Sequence, residues 1–251
     1  MRTLSFAALL GAACAVTIAC APRTVAEPGP LPSPVATVDT GRVAVEGGTL
    51  YYEARGSGPA VVLLHGGGLD HTMWDPQVEA LARSYRVIRF DARGHGRSTA
   101  RMPPFDMTED LRRVLDHLGV QRAHLVGLSM GGGAAFDFAT AYPARTATLV
   151  LVSTSGPPPG VPVPPGSPPQ LTVEAGRARL RALSMPRLLV VGQGDSRGVH
   201  DVADRVEAEV PEVVVVRIAQ GEHLVNRDAP EEFNRVLLRF LEREEGRRDN
   251  E

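Results

Sequence analysis

The chain has 251 residues, 43% of them apolar, and a formal net charge of −2, the make-up of one sizeable globular domain. Its 27 basic residues, all arginine, are outnumbered by 29 acidic ones, so the basic excess that a nucleic-acid partner needs is missing. The two cysteines, Cys14 and Cys20, both lie near the start, which leaves the rest of the chain without a disulfide, a thiolate nucleophile or a cysteine-built zinc site.

Residues 1–19 carry one early charge, Arg2, then an uncharged run that meets Cys20 after small residues, the pattern of a secretion signal. Val16-Thr17-Ile18-Ala19-Cys20 resembles the bacterial lipoprotein signal, with Thr17 in place of the usual leucine. That resemblance implies cleavage before Cys20, lipidation of the new N-terminus and a protein held at a membrane of the cell envelope. The alternatives are ordinary signal cleavage, giving a periplasmic or secreted protein, and an uncleaved anchor, for which the run falls short of the roughly 18 to 20 residues of a span. Residues 20–41 are rich in Pro, Ala, Thr and Val without apolar periodicity and predict a disordered tether. At about 3.1 Å per residue, Ala21 to Thr40 could reach roughly 60 Å.

The domain is expected over 42–246, with 247–251 a disordered tail. Arg42–Glu46 and Thr49–Glu53 flank Gly47-Gly48 and predict a hairpin. Ala60–Leu64 predicts a buried strand that ends in His65-Gly66-Gly67-Gly68, where three glycines let backbone amides approach a ligand. A short helix over Pro76–Arg83 and a strand over Tyr85–Phe90 follow, then Asp91-Ala92-Arg93-Gly94-His95-Gly96-Arg97-Ser98. Asp106–Leu118 has helical apolar spacing, with Asp106 as cap and Gly119 as stop. Next an apolar strand breaks at Gly127-Leu128-Ser129-Met130-Gly131, which fits G-x-S-x-G, and resumes as a helix to about Tyr142-Pro143. Between a strand and a helix, that serine sits on a sharp turn with its Oγ exposed as a nucleophile. Thr148–Val152 is a further buried strand, and strands alternating with helices predict an α/β fold: a mostly parallel sheet covered on both faces.

Together the elbow, the His-Gly-Gly-Gly loop and the Asp-x-Arg-Gly-His-Gly-x-Ser segment resemble the α/β-hydrolase superfamily over about residues 42 to 245. The strings Gly127–Gly132 and His65–Asp75 are similar to those of small-molecule esterases and enol-lactonases. The resemblance implies a Ser, acid, His order along the chain. Leu188–Val191 predicts a strand that delivers Asp195, and Val213–Ile218 another that delivers His223, with Asp201 the fallback acid. Both loops should share the sheet edge of Ser129. Glu222 departs from the small residue often found before such a histidine. A last helix runs from about Asp228-Ala229-Pro230 through Leu241. The resemblance places two oxyanion donors at the backbone N–H of Met130 and of Gly67, with Gly66 or Gly68 as alternatives, each worth on the order of 3 kcal/mol in the transition state. Such hydrolysis needs no cofactor. Asp70-His71 beside His65 lack a dense ligand set, so no metal is expected.

Of the other histidines, His65 and His95 are expected to be structural, His117 and His124 to occupy helix or strand positions, and His71 and His200 to face solvent. Residues 153–171 are rich in proline where the superfamily often inserts a helical cap. They predict a flexible flap, a minimal or absent cap and an open site, followed by a short helix over Thr172–Leu183. The function expected is that of a serine hydrolase acting on small carboxylic esters, lactones or thioesters through an acyl-enzyme. The alternatives are a cofactor-independent perhydrolase and a catalytically silent binding protein on the same scaffold.

Overall fold

The computed structural model describes residues 38–100, 106–155 and 170–248, all within the unit Val35–Glu251. Eight strands form one sheet: β1 (Asp39–Val45), β2 (Gly48–Arg55), β3 (Ala60–Leu64), β4 (Arg86–Phe90), β5 (Ala123–Leu128), β6 (Thr146–Val152), β7 (Arg187–Gly192) and β8 (Val213–Ile218). Their order across the sheet is β1-β2-β4-β3-β5-β6-β7-β8. β1 and β2 pair antiparallel and β2 pairs antiparallel with β4, while every later pairing is parallel. The composition of the strands explains the order. β3, β5, β6 and β7 are buried at every position and take the centre, whereas β8, partly exposed through Val214, takes an edge.

Side chains alternate across the sheet, so each strand feeds two cores. Leu125, Leu149, Leu151, Leu189 and Val191 face one layer of helices, α2 (Met107–His117), α3 (Met130–Ala141), α4 (Glu174–Arg181) and α5 (Arg197–Glu209). Val126, Val150, Val152, Leu188 and Val190 face the other, α1 (Asp75–Leu81) and α7 (Pro230–Arg248), with the single turn α6 (Val225–Asp228) beside them. Each fully buried Val or Leu contributes roughly 1.5–3 kcal/mol relative to exposure. Among the described residues no helix is long and apolar enough to cross a membrane.

Local chemistry fixes the element ends. Asp106 caps α2 by accepting the Thr108 N–H at 2.8 Å, and the helix stops at His117, two residues before Gly119. The hairpin departs from expectation by one residue. Val45 pairs with Gly48, so Glu46-Gly47 forms the turn and Gly48 already belongs to β2. α5 goes beyond the elements read from the sequence, although Val199, Val202, Ala203 and Val206 form a helical stripe that is buried. The proline-rich flap falls largely on residues 156–169, outside the described residues, as do the leader, Cys20 and most of the tether. At the far end of the flap Leu171 is buried in the core, and the helix expected over Thr172–Leu183 is α4, with tighter bounds.

Candidate active site

Between β5 and α3 the chain reverses within one residue. Ser129 sits at φ 52° and ψ −110°, a conformation that L-residues avoid and that costs on the order of 1–3 kcal/mol. The crossing requires glycine on both sides. A Cβ on Gly127 would lie 2.2 Å from the Gly131 carbonyl oxygen, and one on Gly131 would lie 2.3 Å from that of Leu64. The Ser129 N–H still donates to the Val152 carbonyl at 2.9 Å, so the sheet's hydrogen bonding holds the strained residue in place. The result is a half-buried serine at the carboxyl edge of the central strands, with the free first-turn N–H groups of α3 beside it.

Two further loops rise from the same edge. The Gln193 N–H donates to the Ile218 carbonyl and the Gly194 N–H to the Gly221 carbonyl, both at 2.9 Å, so the loops after β7 and β8 are laced together. Between them Asp195 accepts a hydrogen bond from His223 Nδ1 at 3.0 Å and from the Ser196 N–H at 2.6 Å. A carboxylate can only accept, so the proton of neutral His223 sits on Nδ1 and Nε2 is left bare. The bond to Asp195 raises the pKa of His223 above its ordinary value, against the opposing effect of partial burial. Burial alone would raise Asp195. The bonds from His223 and the Ser196 N–H outweigh it and hold the carboxyl below its usual range. Ser153, buried at φ 47°, adds to this, its hydroxyl approaching the carboxylate outside good hydrogen-bond geometry.

Asp201, the fallback acid, lies on α5 and faces Arg197 at 3.9 Å with its side chain mostly exposed; no hydrogen bond joins it to His223. No hydrogen bond joins Ser129 to His223 either, a contact that such sites often tighten only on a bound substrate. Glu222 is accommodated because it points outward, its Cγ 3.1 Å from where a Cβ on Gly194 would sit, while its N–H donates to Asp228 Oδ2 at 2.9 Å. Behind this loop, Asn226 Nδ2 donates to the Met73 carbonyl at 2.9 Å and to Gln77 Oε1 at 3.0 Å, bracing α6 on α1 and the turn before it.

The glycine loop after β3 faces the elbow, with a Cβ on Gly67 falling 3.8 Å from Met130 Cβ and Sδ. Its three N–H groups differ. That of Gly66 points at Met73 Sδ and that of Gly68 at His95 Nε2, both at 3.2 Å, while no acceptor for that of Gly67 exists among the described residues. Three-dimensional contacts thus set Gly67, the donor the resemblance implies, apart from its alternatives Gly66 and Gly68. Met73, His95 and Ser153 are the neighbours of the site that sequence reading passed over as such. The only advance signal was the place of His95 in a glycine-bounded loop.

One expectation is overturned. His71 is 3% exposed rather than solvent-facing, because the short 3-10 turn His71–Trp74 folds it inward. Its Nδ1 donates to Asp91 Oδ1 at 2.7 Å and its Nε2 lies 3.2 Å from Glu53 Oε1. Asp70, His71 and Asp91 bring three potential metal-ligating atoms within 4.8 Å of one another. These atoms are already committed, since Asp70 Oδ1 accepts from Thr72 and Asp91 Oδ2 from the Arg97 N–H. His71, Asp91 and Glu53 form an ion network, with Asp70 hydrogen-bonded to Thr72 beside it.

A parallel sheet with an antiparallel entry, an elbow serine and an acid–histidine pair on one edge define an α/β-hydrolase fold, and the comparisons agree. The family model described as alpha/beta hydrolase fold matches residues 59–168. A RutD protein of Azorhizobium caulinodans, named a carbamate hydrolase, is 28% identical over 76% of this chain and 94% of its own. The 3-oxoadipate enol-lactonase 1 of Acinetobacter baylyi is 36% identical over 44% of this chain and 43% of its own length, so that match spans less than half of either protein. Among solved structures, an esterase from Thermogutta terrifontis superposes with a TM-score of 0.68 at 26% identity, covering 82% of this chain and 99% of its own. The chain is an enzyme of the α/β-hydrolase fold, a hydrolase.

Proposed function

We propose that the chain hydrolyses small carboxylic esters, with lactones and thioesters in range, through an acyl-enzyme on Ser129. A serine hydroxyl is a weak nucleophile at neutral pH, so His223 Nε2 takes its proton as Oγ attacks the acyl carbon. Asp195 keeps the imidazole in that tautomer and stabilises the cation that forms. The oxyanion meets the N–H groups of Met130 and Gly67. His223 then returns the proton to the departing alcohol, and water, activated by the same base, releases the acid. The observation that carries this reading is the 3.0 Å Asp195–His223 bond on the sheet edge that also presents Ser129 at φ 52°. The names of the enol-lactonase and esterase relatives favour esters and lactones, and that of the RutD relative places carbamates on the assay panel. The test is labelling of the full chain by a fluorophosphonate, followed by a chain-length series of p-nitrophenyl esters. Labelling that persists in Ser129→Ala, or a wild-type protein inert to every ester, lactone and carbamate offered, overturns it.

The sequence of residues 1–20 further supports export with lipidation at Cys20. Incorporation of labelled fatty acid and partition into detergent, both abolished by Cys20→Ser, are the expected outcomes. A soluble, unlabelled wild-type protein is the outcome that reduces this to plain secretion.

A further inference from the structure

We infer that His95 and Met73 are positioning residues that select which backbone N–H of the glycine loop faces the reacting carbonyl, by holding the N–H groups on either side of it. This rests on the serine-hydrolase reading above.

Three consecutive N–H groups on a chain without side chains have no intrinsic reason to point one way rather than another. Here the outer two are occupied. The Gly66 N–H is directed at Met73 Sδ and the Gly68 N–H at His95 Nε2, each at 3.2 Å. Gly68 itself is at φ 72°, a conformation that turns its peptide away from its neighbour's and that a side chain would resist. What remains is Gly67, which faces Met130 across the elbow.

The tautomer of His95 follows from its partners. Its Nδ1 is 2.8 Å from the Arg93 carbonyl oxygen, which can only accept, so Nδ1 carries the proton. Its Nε2 faces an N–H, which can only donate, so Nε2 is bare. His65, 5.1 Å away ring to ring, repeats the pattern, with Nδ1 donating to the Gly66 carbonyl at 2.8 Å and Nε2 accepting the Ala92 N–H at 2.9 Å. Burial pulls the pKa of His65 down and favours this neutral form. Two neutral imidazoles therefore link the glycine loop to the segment 91–98.

That segment is rigid enough to serve as a reference. Arg93 makes a two-pronged ion pair with Asp110 of α2 at 2.7 and 2.9 Å, and the Ser98 hydroxyl donates to the Asp91 carbonyl at 2.6 Å. The backbone of His95 is held at both its groups, its N–H by Ala92 and its carbonyl by Ser98, each at 3.1 Å. His95 thus transfers the position of a fixed loop to a glycine loop that has little stiffness of its own.

The experiment compares His95→Phe, which keeps a ring but has no acceptor, with His95→Gln, whose Oε1 can accept at about the reach of Nε2. Both are assayed in the full chain with p-nitrophenyl butyrate and with phenylboronic acid, whose tetrahedral adduct on a serine mimics the oxyanion. His95→Phe should lower kcat about 10- to 100-fold with KM within about twofold, and weaken phenylboronic acid by the same factor as kcat/KM. His95→Gln should recover kcat to within about threefold of wild type, since the acceptor is restored. Should His95→Phe fail to fold, Met73→Leu, close in volume and lacking the sulfur, carries the test with a smaller loss in the same direction. Unchanged kcat in the folded His95→Phe, or in the folded Met73→Leu where that one is used, overturns the inference. So does equal damage in His95→Gln and His95→Phe at equal melting temperature. Ester hydrolysis surviving in Ser129→Ala is a different failure, that of the underlying reading.

Discussion

Two histidine–aspartate pairs stand on this sheet edge, and only one of them is equipped to move a proton. His223 donates Nδ1 to Asp195 at 3.0 Å with nearly half of its side chain exposed, and no partner among the described residues occupies its Nε2. His71 donates Nδ1 to Asp91 at 2.7 Å, but it is buried and Glu53 closes off Nε2 at 3.2 Å. Burial pulls the pKa of His71 down, and the bond and charge of Asp91 together with Glu53 reverse this and raise it above the ordinary value. A ring held between two carboxylates is biased toward its doubly protonated form, and neither of its nitrogens is open to a substrate. The same residue pair is therefore structural glue in one setting and, in the proposed mechanism, a proton carrier in the other, and what separates them is the freedom of the second nitrogen.

The largest effect that tests this contrast is expected at the open pair. Ser129→Ala and His223→Ala should each remove on the order of 10⁶ in kcat, and the double variant little more, because the groups act as a unit. Steady-state kinetics of the three proteins check this, and additive losses would break it. Asp195→Asn should cut kcat about 10⁴-fold with the fold intact, since an amide can turn the imidazole to the wrong tautomer. Asp91→Asn, by contrast, should show its effect first as a lower melting temperature.

At the closed pair the loss should fall on stability. His71→Leu leaves the buried Asp91 without its main partner, which is expected to cost about 3–5 kcal/mol in chemical denaturation. A loss of turnover per folded molecule as deep as that of His223→Ala would mean that the two pairs are not so different after all.

Titration sharpens the comparison further. His223 must be neutral to act, so kcat/KM should rise with pH through a midpoint above the ordinary histidine value of 6.5. His71 is also raised, but its charged form supports the fold. Its contribution is complete below about 6.5 and is lost as pH rises through its raised pKa, while that of Asp91, held low, is lost as pH falls through its depressed one. Activity and melting temperature should therefore move in opposite directions on the alkaline side of 6.5, the stability slope flattening in His71→Leu. The smallest effect is that of Asp201→Asn, expected within about 0.5 kcal/mol of wild type in stability and unchanged in turnover, because an exposed i,i+4 pair contributes little.

The contrast also explains what the sequence could and could not announce. The placement of Asp195 and His223 was legible because each follows an apolar run that reads as a buried strand, and topology delivers such loops to the edge where Ser129 stands. β3 and β8 begin and end where their apolar runs do for the same reason. His71 was not legible. Its burial depends on Asp91, twenty residues on, and on Glu53 from another strand, which no local pattern reports. Gly67 was named from the family resemblance, but the physical reason it differs from Gly66 and Gly68, a sulfur and an imidazole brought in by tertiary structure, has no local signal. The hairpin turn was off by one because strand pairing, and not the glycine doublet, decides which residues are left over. α5, by contrast, carries a local helical stripe in Val199, Val202, Ala203 and Val206.

The strain at Ser129 has a consequence on a longer clock. At φ 52° a glycine would be at ease where serine is not, so the unreactive Ser129→Gly chain is expected to be the more stable of the two. Mutation alone would then push this position toward glycine in any lineage released from the reaction, because gains in stability at such sites are easy to find. Serine there, between two glycines that the packing demands, costs the fold stability that the proposed reaction, and not the folding, would offset.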